Sequence, residues 1–255
     1  MSFKYLYGLI FISLSVFAQS EVLTIRADVW YPMNGDPHAP NPGYMIDLAR
    51  VMLEPEGIEV EYQISPWKRA VYDALSGNID CIVGATVEEA KGLLLPKQSW
   101  GIAISGLYVR SDDPWRVSSI DDLLTRKTGL VTGYEYGGEL DAFFVANKGK
   151  AFQFVSGHDP LKLNLAKLLA KKIDGVLETT SVMDAYLKAN DLQDKVINGG
   201  ELGPRLPLYI ACTDTYARTR KAIQLFNAAL PRMRANGELA NILGTYGLSD
   251  WEDDQ

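Results

Sequence analysis

Histidine and cysteine are scarce in this 255-residue chain, with two of each. His38 and His158 have no partner at ligand spacing, which argues against a structural or catalytic zinc site. Basic side chains are outnumbered: 25 Lys and Arg face 32 Asp and Glu, for a formal charge of −7. Such a chain lacks the positive field that phosphate contacts need, so nucleic acid is not an expected partner. There is no Gly-rich phosphate loop and no G-x-S-x-G nucleophile elbow, and no cofactor is expected. Ser156-Gly157-His158-Asp159 sets a nucleophile, a base and an acid in a row. A catalytic triad converges in space from separate segments, so turn chemistry explains that run better. After residue 20 no apolar stretch approaches the ~18 residues that a membrane span requires.

The long apolar run lies at the start. Lys4 is followed by apolar Tyr5–Phe17 and by the small residues of Ala18-Gln19-Ser20. A positive start, a short apolar stretch and a small-residue cleavage zone read as an export signal over residues 1–20. The rest of the chain is then expected to be free and periplasmic. Cys81 and Cys212 are far apart in sequence, and an oxidising compartment permits a bridge between them. Both sit in apolar, strand-like runs, DCIVGA and LYIACT. A lone Cys there is usually a small buried hydrophobe, and that reading is preferred to the bridge.

What is abundant is alternation of strand and helix. Val22–Asp28 reads as a strand leading into an aromatic loop, and Asn34-Gly35 is turn chemistry. Met45, Leu48, Ala49 and Met52 form one apolar helical face. Ile58–Ile64 is a strand, Pro66–Leu75 a helix, and Ile79–Ala85 a strand buried on both faces. Ile102–Val109 is one further apolar strand. A second set of the same units follows, and Leu206–Cys212 returns to the first. Pro231 interrupts the last helical pattern and predicts a kink or a fresh helix start. This order describes an α/β protein of two lobes hinged by two crossing segments, near Tyr108–Trp115 and Leu202–Leu208. The expected division is residues 21–109 with 207–255 for one lobe and 110–206 for the other. Ligands of open α/β sheets bind beyond the carboxyl ends of the strands, so two facing sheets predict a cleft that closes by hinge motion.

Several segments then resemble one family. They are Asp28-Val29-Trp30-Tyr31-Pro32, Gly43-Tyr44-Met45-Ile46-Asp47-Leu48, Trp67 followed by Leu75-Ser76-Gly77-Asn78-Ile79-Asp80, Ile120-Asp121-Asp122-Leu123, Gly133 before a helix, Ile173-Asp174-Gly175-Val176, and the ending Asn227–Leu230, Gly237-Glu238-Leu239, Ile242 and Tyr246. In this order they resemble the bacterial extracellular solute-binding proteins of the polar-amino-acid type, receptors of ABC importers. The resemblance implies a type II periplasmic-binding-protein-like fold, a monomer, a small polar solute and a membrane permease as partner. Two departures stand out. Where the family has Thr-x-x-Arg to fork onto an α-carboxylate, this chain has Thr86-Val87-Glu88-Glu89, and no Arg occurs between Arg69 and Arg110. Where the family holds an α-ammonium on a carboxylate, this chain has Thr179, with Glu178 beside it. A standard α-amino acid therefore fits poorly.

The candidate ligand-binding residues follow from these strand ends. Asp28, Trp30 and Tyr31 close the first strand, and aromatic walls suit planar or cationic solutes. Trp67 is a cleft wall or a core residue. Arg69, one turn into its helix, is the substitute anion anchor. Gly84, Ala85 and Thr86 end a buried strand, where small residues admit a ligand close to the backbone. Gly133-Tyr134-Glu135-Tyr136 precedes a helix whose first N–H groups could receive an anion, which brings in Tyr134 and Glu135. Glu178 is a cation partner and Thr179 its neighbour at another strand end. Asp47, Asp80 and Asp174 are expected to tie down turns or helix ends instead. The leading expectation is a non-enzymatic periplasmic receptor for an ABC importer. The alternatives are an enzyme resembling cyclohexadienyl dehydratases, with Glu178 or Glu135 as acid and Arg69 gripping a carboxylate, and a soluble sensory partner of a membrane kinase.

Overall fold

Burial along the chain sorts the strands into those with one covered face and those covered on both. In the computed structural model, which describes residues 21–147 and 149–252, Leu23, Ile25 and Ala27 of β1 (Glu21–Ala27) alternate inward, while β3 (Cys81–Ala85) is buried throughout. Between them come α1 (Tyr44–Leu53), β2 (Ile58–Ile64) and α2 (Trp67–Leu75). The chain continues through β4 (Gly101–Ala103), β5 (Ser105–Arg110), β6 (Thr128–Val131), α3 (Gly138–Ala146), β7 (Phe152–Val155), α4 (Pro160–Leu169), β8 (Gly175–Thr179), α5 (Thr180–Ala189) and β9 (Val196–Glu201). It ends with β10 (Leu206–Cys212), α6 (Ala217–Asn236) and α7 (Glu238–Thr245). The export signal expected at residues 1–20 lies outside the described residues.

The strands form two five-stranded sheets, in the orders β2-β1-β3-β10-β4 and β7-β6-β8-β5-β9. Each sheet has a parallel part, with β1 beside β2 and β3, and β6 beside β7 and β8. Each also has one central antiparallel strand, β10 in the first and β5 in the second. The expected α/β alternation is thus present, but the first crossing falls elsewhere. Ile102–Val109 is not one strand of the first set. It splits at Ile104, and Ser105–Val109 pairs with β8 and β9 in the second sheet. The run is apolar on both sides of the break because both pieces are buried, and only Ser105-Gly106 marks the crossing. The chain returns between Glu201 and Leu206, and the two crossings meet where Leu202 N–H donates to Ser105 O at 2.9 Å.

Cys81 and Cys212 are disulfide-bonded, which overturns the reading of two separate buried thiols. The cause is register: the two residues stand directly opposite on antiparallel β3 and β10, and nothing local to either strand announces that pairing. The bond closes a loop with a sequence separation of 131 residues, which includes all of the second sheet. Restricting so long a loop in the unfolded chain stabilises the fold. The Cys81→Ser/Cys212→Ser variant is expected to unfold in urea with a stability lower by roughly 2–5 kcal/mol; an unchanged midpoint would contradict this role.

Pro231 lies inside α6, which runs on through it, so no fresh helix start occurs there. An interior proline costs about 3 kcal/mol. Burial of Phe226, Leu230 and Met233 on one face of α6 offsets that loss, and Trp100 packs edge-on to Phe226 with ring centres 4.8 Å apart. The three aspartates expected to tie down structure do so. Asp80 accepts from Thr24 and Arg218, Asp174 from Lys127 N–H and Asp47 from the Tyr246 hydroxyl. Among the described residues no helix is long and apolar enough to cross a membrane.

Candidate ligand site between the two sheets

The carboxyl ends of the parallel strands from both sheets converge. Asp28 and Trp30 follow β1, Gly84 and Thr86 end β3, Tyr134–Tyr136 follow β6, and Glu178 and Thr179 end β8. Together with Asn34, Trp67, Val83, Glu89, Ala103, Ser105 and Leu208 they line a cavity of about 480 Å³ including its mouth.

Bonds across the cavity join the sheets. Trp30 Nε1 donates to Glu178 Oε1 at 2.9 Å, and the Tyr134 hydroxyl donates to Asp28 Oδ2 at 2.8 Å. Glu135 N–H donates to Glu89 Oε1 at 3.1 Å, and the Thr86 hydroxyl donates to Glu135. At the rim, Val29 N–H donates to His158 O at 2.8 Å. Trp30 and Trp67 stand edge-on to Tyr134, with ring centres 6.0 and 6.3 Å away.

Nine of the residues singled out from sequence lie on this cavity: Asp28, Trp30, Trp67, Gly84, Thr86, Tyr134, Glu135, Glu178 and Thr179. Three do not. Arg69 is exposed and paired with Asp73 at 2.7 Å, because α2 buries Trp67, Ala70 and Ala74 and turns Arg69 to the opposite side. Tyr31 packs at a tilt against Tyr246, ring centres 5.7 Å apart, and Ala85 is buried away from the cavity. Ala85 has its side chain on the opposite face of β3 from Gly84, and Tyr31 lies in the turn after Trp30. Just before α3, Asp141 accepts from Tyr136 N–H and, at 2.9 Å, from Gly137 N–H.

Gly84 acts differently from the expectation as well. It has φ +86°, and a Cβ there would meet the Trp30 ring at 3.2 Å, so the glycine makes room for the indole. Gly84→Ala is expected to cost about 1–3 kcal/mol from the strained backbone alone and to push Trp30 off Glu178. Thermal unfolding and tryptophan fluorescence read the two effects; an unaltered emission spectrum would contradict the second.

Asn34, Glu89, Ser105 and Tyr136 are the polar wall residues that sequence reasoning missed. Asn34 reads locally as turn chemistry. Glu89 occupies the place where the resemblance expects arginine, so the motif's spacing marked the position while its charge was reversed. Glu89 accepts Trp67 Nε1 at 2.8 Å and Thr86 N–H at 2.9 Å. Burial raises both Glu89 and Glu178 to about 7, against the hydrogen bonds each accepts. Burial also lifts Asp28 well above the carboxylate range, opposed by the Tyr134 bond and reinforced by the charges of Glu178 and Glu89. The cavity is therefore an acidic, aromatic, desolvated space.

The sequence pattern of the bacterial extracellular solute-binding proteins, family 3, matches residues 25–249. The chain belongs to that family. Membership implies a periplasmic or extracellular location and a solute-binding receptor. No curated protein matches the chain by sequence. Solved structures do match it in shape. An ancestral arginine-binding protein bound to arginine is 21% identical, with a TM-score of 0.74 over 88% of this chain and 97% of that one. A histidine kinase sensor domain with similarity to periplasmic binding proteins is 18% identical, with a TM-score of 0.73 over 89% and 95%. The GluR0 ligand-binding core from Nostoc punctiforme, in complex with L-glutamate, is 17% identical, with a TM-score of 0.68 over 89% and 98%. At these identities the likeness shows the two-lobe, periplasmic-binding-protein-like fold of the family 3 receptors.

Proposed function

We infer that this family 3 protein is a periplasmic receptor that captures a small polar solute between two lobes and presents it to the permease of an ABC importer. The lobes are divided at Ile104 and at residues 202–205. The observation that carries the reading is the shared cavity, whose walls come from both sheets and whose cross-bonds, Trp30 to Glu178 and Tyr134 to Asp28, exist only when the sheets face each other closely. Solute in that space would favour the closed form, and the closed form is what a permease would read.

The enzymatic alternative needs Arg69 in the cleft to grip a carboxylate. Arg69 is outside it, so the dehydratase-type reading loses its anchor. The likeness to a histidine kinase sensor domain favours a second reading, delivery of the solute to a membrane kinase. Native mass spectrometry of freshly purified protein, followed by thermal shifts with a metabolite library, tests the receptor. A retained or stabilising solute that is not turned over is expected; no stabilising solute would overturn it. Capture of membrane partners by the loaded protein is expected to yield a permease, and a kinase in its place would favour the second reading.

A further inference from the structure

We propose that the cavity takes a small organic cation that bears N–H donors and no carboxylate of its own; this rests on the receptor reading above. Its walls hold Asp28, Glu89, Glu135 and Glu178, and among the described residues no Lys, Arg or His lines it. The carboxylates differ in what they have left to offer. Glu89 is held by Trp67, Thr86 and Glu135, on both of its oxygens. Glu178 receives Trp30 and Thr179 N–H on the same oxygen, Oε1, and Asp28 receives the Tyr134 hydroxyl on Oδ2. An ionised carboxylate offers about four acceptor sites, so both retain capacity.

An independent feature points the same way. Asn34 is 1% exposed. Its amide nitrogen serves Asp28 O and the Tyr62 hydroxyl, whereas its Oδ1 has no partner among the described residues. A buried acceptor without a donor is unfavourable, and an N–H from the guest would satisfy it. Trp30, Trp67 and Tyr134 supply aromatic walls suited to a cation. A guest carboxylate would instead enter a desolvated space beside Asp28 and Glu178 with no basic wall residue to meet it, so like-charge contact excludes it. A metal ion is a poor match, since no group of three His, Cys, Asp or Glu among the described residues could hold one.

Agmatine and arginine differ chiefly by the α-carboxylate and make the deciding pair. Titration calorimetry at pH 8 with agmatine, butane-1,4-diamine, arginine, glutamate and tetramethylammonium tests the proposal. Agmatine or the diamine is expected to bind at least about 10-fold more tightly than arginine, with glutamate and tetramethylammonium weaker still. Glu178→Gln is expected to weaken the amine at least about 30-fold, as loss of a buried charge partner does, and Arg69→Ala to leave it unchanged. The melting temperature of Glu178→Gln shows whether the variant is folded. Tighter binding of arginine or glutamate overturns the proposal and leaves the receptor reading standing. Tetramethylammonium equal to the amines overturns the requirement for N–H donors. No response to this panel, with some other solute found in the metabolite library, overturns the cation; no response to either overturns the receptor as well.

Discussion

Without ligand, the protein is expected to lose stability as pH rises from 5 to 8. Glu89 and Glu178 ionise near 4.5 in an unfolded chain and near 7 in the fold. Below about pH 4.5 both states carry the protons and there is no penalty. Between about 4.5 and 7 the folded state binds more protons than the unfolded one, so stability falls with rising pH, and above 7 the loss is complete. One pKa unit is worth about 1.36 kcal/mol, so each carboxylate contributes a loss of about 3 kcal/mol. Asp28 acts in the same direction. Glu178→Gln removes one of these penalties: at pH 8 the variant is expected to be more stable than the parent by a few kcal/mol, while near pH 4.5 the two converge. Urea unfolding at several pH values checks this. Parent and variant that keep one constant difference from pH 5 to 8 would contradict it.

Binding of an amine should show the opposite trend. A cation pairs with ionised Glu178 and Asp28, and it must displace protons wherever those groups are still protonated. Affinity for agmatine is therefore expected to rise with pH from 5 upward, by up to 10-fold per pH unit for each proton displaced. Calorimetry at pH 6 in buffers of different ionisation enthalpy should register proton release on binding. In Glu178→Gln the remaining affinity should depend less on pH. Proton uptake, or an affinity that falls as pH rises, would rule out pairing between the amine and these carboxylates.

Much of the frame was legible because burial leaves periodic traces. The alternation of β1 and the wholly apolar β3 marked their places, and turn residues separated the units. Strand ends then located most of the cavity wall without any coordinates. What escaped depends on neighbours distant in sequence. The crossing at Ile104 hides inside a buried run in which Ser105-Gly106 is the only break in apolar character, and the Cys81–Cys212 bond depends on the register of β10 against β3. Arg69 looked available because its charge is visible in sequence and its direction is not; the buried face of α2 decides that. Glu89 was passed over for the converse reason. A glutamate at a turn reads as a solvated side chain until Trp67 and Thr86 are seen to enclose it.

Opening the cleft hydrates Asp28, Glu89 and Glu178 and relieves the same free energy that unfolding does. The most direct test is small-angle scattering of the ligand-free protein from pH 5 to 8, beside the Glu89→Gln/Glu178→Gln variant. A cavity that brings desolvated carboxylates together from two sheets predicts a radius of gyration that grows as pH passes through about 7 in the parent and grows less in the variant, which keeps Asp28. A parent whose radius is unchanged or shrinks over that range would contradict the account.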